Sequence, residues 1–179
     1  MAFKLSKRSL SRLEGVHPEL VNVVKAAIKI TPHDFGVTCG VRDKTTQARL
    51  VAEKKSFTMN SKHLIQESTG FSHAVDLVVY YNGDVCWEID MYDEVADAMK
   101  QAAINLGKKI GIKWGGAWTI TDICEWNDNM EAAYISYCNT RSQQGRKIFC
   151  DMPHYEVSRF YSLVDRIEAF LIHLVYFEL

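Results

Sequence analysis

Two short segments, far apart in the chain, carry the residue types of a hydrolytic metal centre. Ser61-Lys62-His63 is followed by His73-Ala74-Val75-Asp76, and Asp151-Met152-Pro153-His154-Tyr155-Glu156 comes much later. A catalytic Zn²⁺ takes about three nitrogen or oxygen ligands and keeps one position open for water. It works with a nearby base that is not itself a ligand. His63, Asp76 and His154 could be the ligands here, with Asp151 as the base.

The wording of these segments, Ser-x-His, then His-Ala-x-Asp, then Asp-x-Pro-His-x-Glu, resembles the LAS-type zinc peptidases. That family includes D-alanyl-D-alanine carboxypeptidases and dipeptidases and the phage L-alanyl-D-glutamate peptidases. The resemblance is nearest to the phage endolysin branch. It extends to Leu5-Ser6-x-x-Ser9-Leu10-x-x-Leu13-x-Gly15-Val16-His17-Pro18, to Gly40-x-Arg42-x-x-x-x-Gln47 and to Trp114-Gly115-Gly116-x-Trp118. Each motif is weak alone; their agreement in order is specific.

The resemblance implies a zinc endopeptidase that cuts the peptide stem of peptidoglycan at the L-alanyl–D-glutamate bond. It implies His63, Asp76 and His154 as zinc ligands, Asp151 as general base, and Arg42 on a substrate carboxylate or on the oxyanion. Glu156 would orient a ligand histidine, Gln47 would pack against or orient Arg42, and Ser61 would lie near the substrate. An endolysin of this kind is expected in the host cytoplasm until lysis and then at the periplasm and wall, as a monomer reaching the wall with help from a holin.

One departure stands out. The usual form is close to Ser-x-His-x-x-Gly-x-Ala-x-Asp, whereas twelve residues separate His63 from Asp76. The segment Ile65 to Ser72 reads as the usual short link expanded by six residues. Added loop length costs little entropy, so the insertion can loop out without moving its ends. His73 is the rival ligand. It stands three residues before Asp76, and on a strand such positions face opposite sides, so the two should not share a metal. His63 is therefore preferred. Asp76, amid Ala-Val and Leu-Val-Val, is a carboxylate on a strand expected to be buried, which is costly unless it is paired or metal-bound.

Several elements must position these groups. Pro18 suits the first position of a helix running to about Ile30, with Leu20, Val21, Val24, Ala27 and Ile28 on one face. Residues 1–17 read as a lead-in with a turn at Gly15. Phe35–Cys39 reads as a strand that delivers Arg42 at its end, and Asp43–Lys55 as a helix. Ser56–Gly70 reads as a polar loop holding His63, and His73–Tyr81 as a strand bearing Asp76. Asn82-Gly83 signals a hairpin turn, with Asp84–Glu88 returning. Asp90–Leu106 reads as a helix with Tyr92, Val95, Ala96, Met99, Ala103 and Leu106 inward and Gly107 at its C-terminal end. Ile110–Trp114 reads as a strand, Asn129–Cys138 as helical within an irregular stretch over 119–147, and Ile148–Val157 as extended. Ser158 is expected to cap a last helix through about Leu174, with Leu163, Val164, Ile167, Phe170, Leu171 and Leu174 inward. Without a regular βαβ rhythm, the class is α+β with a small antiparallel sheet flanked by helices. The resemblance implies the hedgehog/DD-peptidase-like zinc peptidase fold.

A chain of 179 residues is expected to form a single catalytic domain spanning 1–179, with no separate wall-binding domain. Its net charge of −1 gives no electrostatic case for nucleic acid or for stable association with an anionic membrane. The N-terminus lacks the apolar core of a signal peptide, and no apolar run reaches the length of a membrane span. Five cysteines without paired CxxC spacing read as reduced thiols. Asp122, Glu125, Asp128 and Glu131 read as a solvated acidic face. Two alternatives remain at this point: a D-alanyl-D-alanine dipeptidase or carboxypeptidase, and a non-catalytic zinc-containing peptidoglycan-binding module.

Overall fold

The apolar run Ala74-Val-Asp-Leu-Val-Val-Tyr-Tyr81, buried on both faces through Val79 except at Asp76, forms one long strand at the centre of the sheet. The computed structural model describes residues 2–162. In chain order the elements are α1 (Lys7–Arg12), α2 (Pro18–Ala27), β1 (Asp34–Cys39), α3 (Lys44–Ala52), β2 (Ile65–Gln66), β3 (Phe71–Ser72), β4 (Ala74–Tyr81), β5 (Asp84–Cys86), α4 (Ile89–Asn105), β6 (Ile110–Trp114), a 3₁₀ turn (Ile123–Glu125), α5 (Met130–Gln143) and β7 (His154–Phe160). The main sheet runs β1-β4-β7-β6, with β5 also paired to β4, and every pairing in it is antiparallel. This is the expected α+β class.

Helices cover one face of the sheet. α4 buries Tyr92, Val95, Ala96, Met99 and Ala103, and α2 packs against it through Leu20, Val23 and Val24. Gly107, at φ 82°, ends α4, where Lys108 N–H bonds back to Ala103 O at 2.9 Å. That left-handed turn steers the chain straight into β6. The Asn82-Gly83 pair adopts positive φ at both positions (52° and 91°), the geometry of a two-residue hairpin.

Four expectations are corrected. Residues 1–17 contain a real helix, α1, because the Ser6 side chain accepts from Ser9 N–H at 3.1 Å and caps it. Leu106 is exposed rather than inward, since it falls where the helix is already turning away. Ser158 lies within β7, so it caps no helix; the inward positions named from Leu163 to Leu174 lie outside the described residues. Asp122 is 2% exposed and not part of a solvated face. Its Oδ1 accepts from Ile112 and Cys124 N–H, and Tyr161 donates its hydroxyl to Oδ2, so it pins the 3₁₀ turn to the sheet. Glu125, Asp128 and Glu131 are exposed, as read. Among the described residues, no helix is long and apolar enough to cross a membrane.

Candidate active site

Asp76 sits on the central strand with β1 on one side and β7 on the other. Its Cα partners are Cys39 on β1 and His154 on β7. The sheet register therefore fixes three potential ligand-bearing positions side by side, with no loop between them.

His63 arrives from outside the sheet. The residues between it and Asp76 form a small hairpin in which β2 pairs with β3. The hairpin closes at its base, where His73 N–H donates to Lys62 O at 2.8 Å and Ser72 Oγ reaches the same carbonyl at 3.3 Å. The insertion thus leaves the body of the protein and returns, and His63 is held at 2% exposure. A histidine in a polar loop reads in isolation as solvent-exposed; here the loop is pinned to the sheet. Ser61, also buried, accepts from His63 N–H at 3.2 Å.

Three donor atoms converge. His63 Nε2 and His154 Nδ1 each stand 3.1 Å from Asp76 Oδ1, and they are 3.3 Å from one another. A tetrahedral ion with ligand bonds of about 2.0–2.1 Å holds its ligands about 3.3 Å apart. The outer ring nitrogens fix the tautomers. His63 Nδ1 donates to the Gly40 carbonyl at 2.7 Å, and His154 Nε2 donates to Glu156 Oε2 at 3.2 Å. A carbonyl or carboxylate oxygen can only accept, so His63 Nδ1 and His154 Nε2 keep their protons, and His63 Nε2 and His154 Nδ1, which face Asp76, are the atoms that would give up theirs to bind a metal.

Cys39, Asp76 and His63 also bring ligand atoms within 4.8 Å of one another. This set competes with the one completed by His154. Cys39 Sγ lies 3.6 Å from His63 Nδ1, the nitrogen that already donates to Gly40. It therefore sits behind the ring, whereas His154 faces the free edge. Nothing in the sequence alone marked Cys39; only the pairing of β1 with β4 brings it here.

The charges are mutually dependent. Burial disfavours ionised His63 and His154, yet hydrogen bonds to Asp76, with Cys39 or Glu156 adding, raise them to about 10 and about 9. Burial likewise opposes ionised Asp76, and its two histidine hydrogen bonds more than reverse that, holding its carboxyl far below the usual range. Burial pushes the Asp151 carboxyl up, as does the charge of Asp76, against the pull of His154, His63 and Arg42.

Two glycines permit this packing. A Cβ on Gly115 would lie 2.1 Å from Asp151 O, and one on Gly40 would lie 2.0 Å from Arg12 O. At Gly115 the close approach is used. Asp151 N–H donates to Gly115 O at 2.9 Å, and Gly115 N–H to His154 O at 2.8 Å. Pro153 turns the chain between them, and His154 N–H closes onto Asp151 O at 2.9 Å. Asp151 and His154 therefore reach one cleft although they are three residues apart, which a straight strand would forbid.

Arg42 also lines the cleft, with Gln47 buried behind it. Arg42 Nη1 donates to Gln47 Oε1 at 2.8 Å, and Nη2 stands 3.7 Å from Asp76 Oδ2. Gln47 is fully buried and donates to Ser56 Oγ and Thr58 O, so it is itself clamped. Arg42, Ser61, His63, Asp76, Asp151, His154 and Glu156 all line one open cleft of about 500 Å³. A second hollow of about 630 Å³, bordered by Glu94, Asp97 and Asp128, shares none of these residues. His73 lies elsewhere. Its Nε2 pairs with Thr69 Oγ1 at 2.7 Å, and its ring packs edge-on to His17 and Phe160.

Trp114 and Trp118, which flank Gly115-Gly116 and read from the sequence as core or cleft wall, take one role each, and Phe149 and Phe57 extend the cleft's aromatic rim. Trp118 lies 5.5 Å from the His154 ring and stacks on Phe149, which meets exposed Phe57 edge-on at 5.3 Å. Trp114, by contrast, is wholly buried and donates its indole N–H to Met152 O.

The architecture is α+β, a small antiparallel sheet flanked by helices, and its site gathers two histidines and a carboxylate as a hydrolase would. Residues 1–137 match the sequence profile described as phage L-alanyl-D-glutamate peptidase, and the chain belongs to that family. It is 33% identical over 124 residues to the L-alanyl-D-glutamate peptidase of Escherichia phage T5, covering 66% of this chain and 83% of that one. The structure is similar to the crystal structure of Serratia marcescens L-Ala D-Glu endopeptidase ChiX, with a TM-score of 0.61 and 31% identity over 87% of this chain and 90% of that chain.

Proposed function

We propose that this chain is a zinc-dependent endopeptidase that hydrolyses the L-alanyl–D-glutamate bond of the peptidoglycan stem, acting as a phage endolysin at the host wall. The observation that carries this reading is the convergence of His63 Nε2, Asp76 Oδ1 and His154 Nδ1 to 3.1–3.3 Å within one cleft.

Those three atoms would hold the zinc. Cys39 is left out because it lies on the far side of the His63 ring. When bound, zinc acidifies a water and polarises a carbonyl. The protein supplies the remaining chemistry. Asp151 lines the same cleft, and its carboxylate accepts no hydrogen bond among the described residues, so it is free to take a proton from the attacking water and deliver it to the departing amine. Its upward shift moves it toward the proton affinity such a base needs. Arg42, held by Gln47, presents a fixed positive charge to the oxygen on which negative charge develops. Glu156 and the Gly40 carbonyl fix the two imidazole rings.

The test is digestion of purified peptidoglycan by the zinc-loaded protein, with the new termini identified by mass spectrometry. New D-glutamate amino termini are expected. Release of D-alanine instead would favour the carboxypeptidase or dipeptidase reading. Bound zinc with no cleavage would favour the binding module.

A further inference from the structure

Three arginine and lysine side chains line the cleft: Arg42, Lys55 and Lys62. Two of them are already committed. Arg42 is hydrogen-bonded to Gln47 and lies 3.7 Å from Asp76, and Lys55 Nζ is 2.8 Å from Glu53 Oε2. The Lys62 ammonium has neither a hydrogen bond nor an ion pair among the described residues. Glu156 feels its charge, but that carboxylate is engaged with His154.

The Lys62 backbone is nevertheless firmly placed. Its carbonyl accepts from His73 N–H and Ser72 Oγ at the base of the hairpin, and its neighbours Ser61 and His63 are both buried. A cation on a rooted backbone, beside a proposed metal ligand and without an anion of its own, is poised for an anion that arrives with the substrate.

The substrate offers one. Glutamate has two carboxyl groups and a peptide continues through only one of them. The other stays free a few bonds from the amine nitrogen released on cleavage. We propose that Lys62 is a specificity determinant that pairs with this free carboxylate. The enzyme then favours stems whose D-glutamate is ionised over stems in which that carboxyl is amidated. The inference rests on the peptidase reading above and adds to it a discrimination on the leaving-group side.

The experiment compares two disaccharide-linked stem peptides that differ only in carboxylate against carboxamide on the glutamate residue. For each enzyme, the ratio of kcat/KM for the two substrates is read. That ratio is internal to a variant, so it does not depend on how much of the preparation is folded. A charge-assisted contact in a partly desolvated cleft corresponds to about a ten- to hundred-fold preference for the carboxylate in the wild type. Lys62→Met is expected to bring the ratio close to one, Lys62→Arg to restore most of it, and Lys62→Glu to invert it. Equal ratios in wild type and Lys62→Met would overturn the proposal and leave the peptidase reading standing. Failure of the wild type to cut either peptide or whole peptidoglycan would remove the peptidase reading, and the proposal with it.

Discussion

His63 and Asp76 are thirteen positions apart, yet His63 Nε2 stands 3.1 Å from Asp76 Oδ1. The β2–β3 hairpin makes this possible by closing on the Lys62 carbonyl, so the inserted residues project without separating the two side chains. His73, much nearer in sequence, is turned away toward Thr69 and His17. His63→Ala is therefore expected to lose stoichiometric zinc, and His73→Ala to keep it. The second variant loses a buried hydrogen bond instead, at a cost of about 1–3 kcal/mol in stability. Metal analysis of the purified variants together with denaturant unfolding checks both. Zinc lost only from His73→Ala would reverse the ligand assignment.

Gln47 acts on the site through Arg42. It is fully buried, and its amide joins Arg42, Ser56 and Thr58. Gln47→Ala leaves Arg42 unheld and opens a small void. A loss of about 1–3 kcal/mol in stability is expected, with a fall in kcat and normal zinc content. Gln47→Glu should retain an acceptor for Arg42 and recover part of kcat. Steady-state kinetics at a temperature where both variants are folded checks this, and an unchanged kcat in Gln47→Ala would remove Gln47 from the positioning role.

Zinc has to displace protons. In the metal-free protein, burial works against the charged imidazoles, but the Asp76 hydrogen bonds raise His63 to about 10 and His154 to about 9. These shifts favour protonated rings in the metal-free protein, whereas a ligand nitrogen needs its lone pair. Calorimetric titration of zinc in buffers of different ionisation enthalpy should show between one and two protons released per ion. No net release would contradict the assigned ligands. The sign for the metal-free fold follows from the same shifts. The raised histidines contribute stability that is fully present below pH of about 6.5 and lost as pH rises through 9 to 10. Asp76, depressed despite its burial, contributes stability present above pH of about 4 and lost as the solution becomes strongly acidic. Metal-free protein should therefore unfold more easily at pH 9 than at pH 6 in a thermal melt.

Much of this was readable from the chain because the signals were local. Pro18 starts a helix, Asn82-Gly83 makes a hairpin, and Gly107 ends α4, each through backbone preferences that need no partner. Asp76 was readable because a carboxylate in an apolar strand demands a partner. What escaped depends on pairing across the fold. Cys39 comes near His63 only through the register of β1 on β4. Asp122 is charged and sits in a polar stretch, so nothing local marked it as the buried cap that ties the 3₁₀ turn to β6. Ser158 has the chemistry of a helix cap, but its neighbours Val157 and Arg159 pair with Ile112 and Gly111 of β6 and carry it into β7 as the bulge residue between them. The Phe57–Phe149 contact joins two loops whose meeting no periodicity encodes.

The central claim is that three side chains hold the metal while Asp151 moves the proton. Asp151→Asn tests it most directly, because the amide keeps the shape and removes the base. Zinc content and the rate of D-glutamate amino-terminus formation would be measured on the same preparation. The account predicts one zinc per chain, as in the wild type, with turnover reduced by about 10²- to 10⁴-fold. Full turnover with zinc retained would contradict the role given to Asp151, and loss of the zinc would show that it belongs among the ligands.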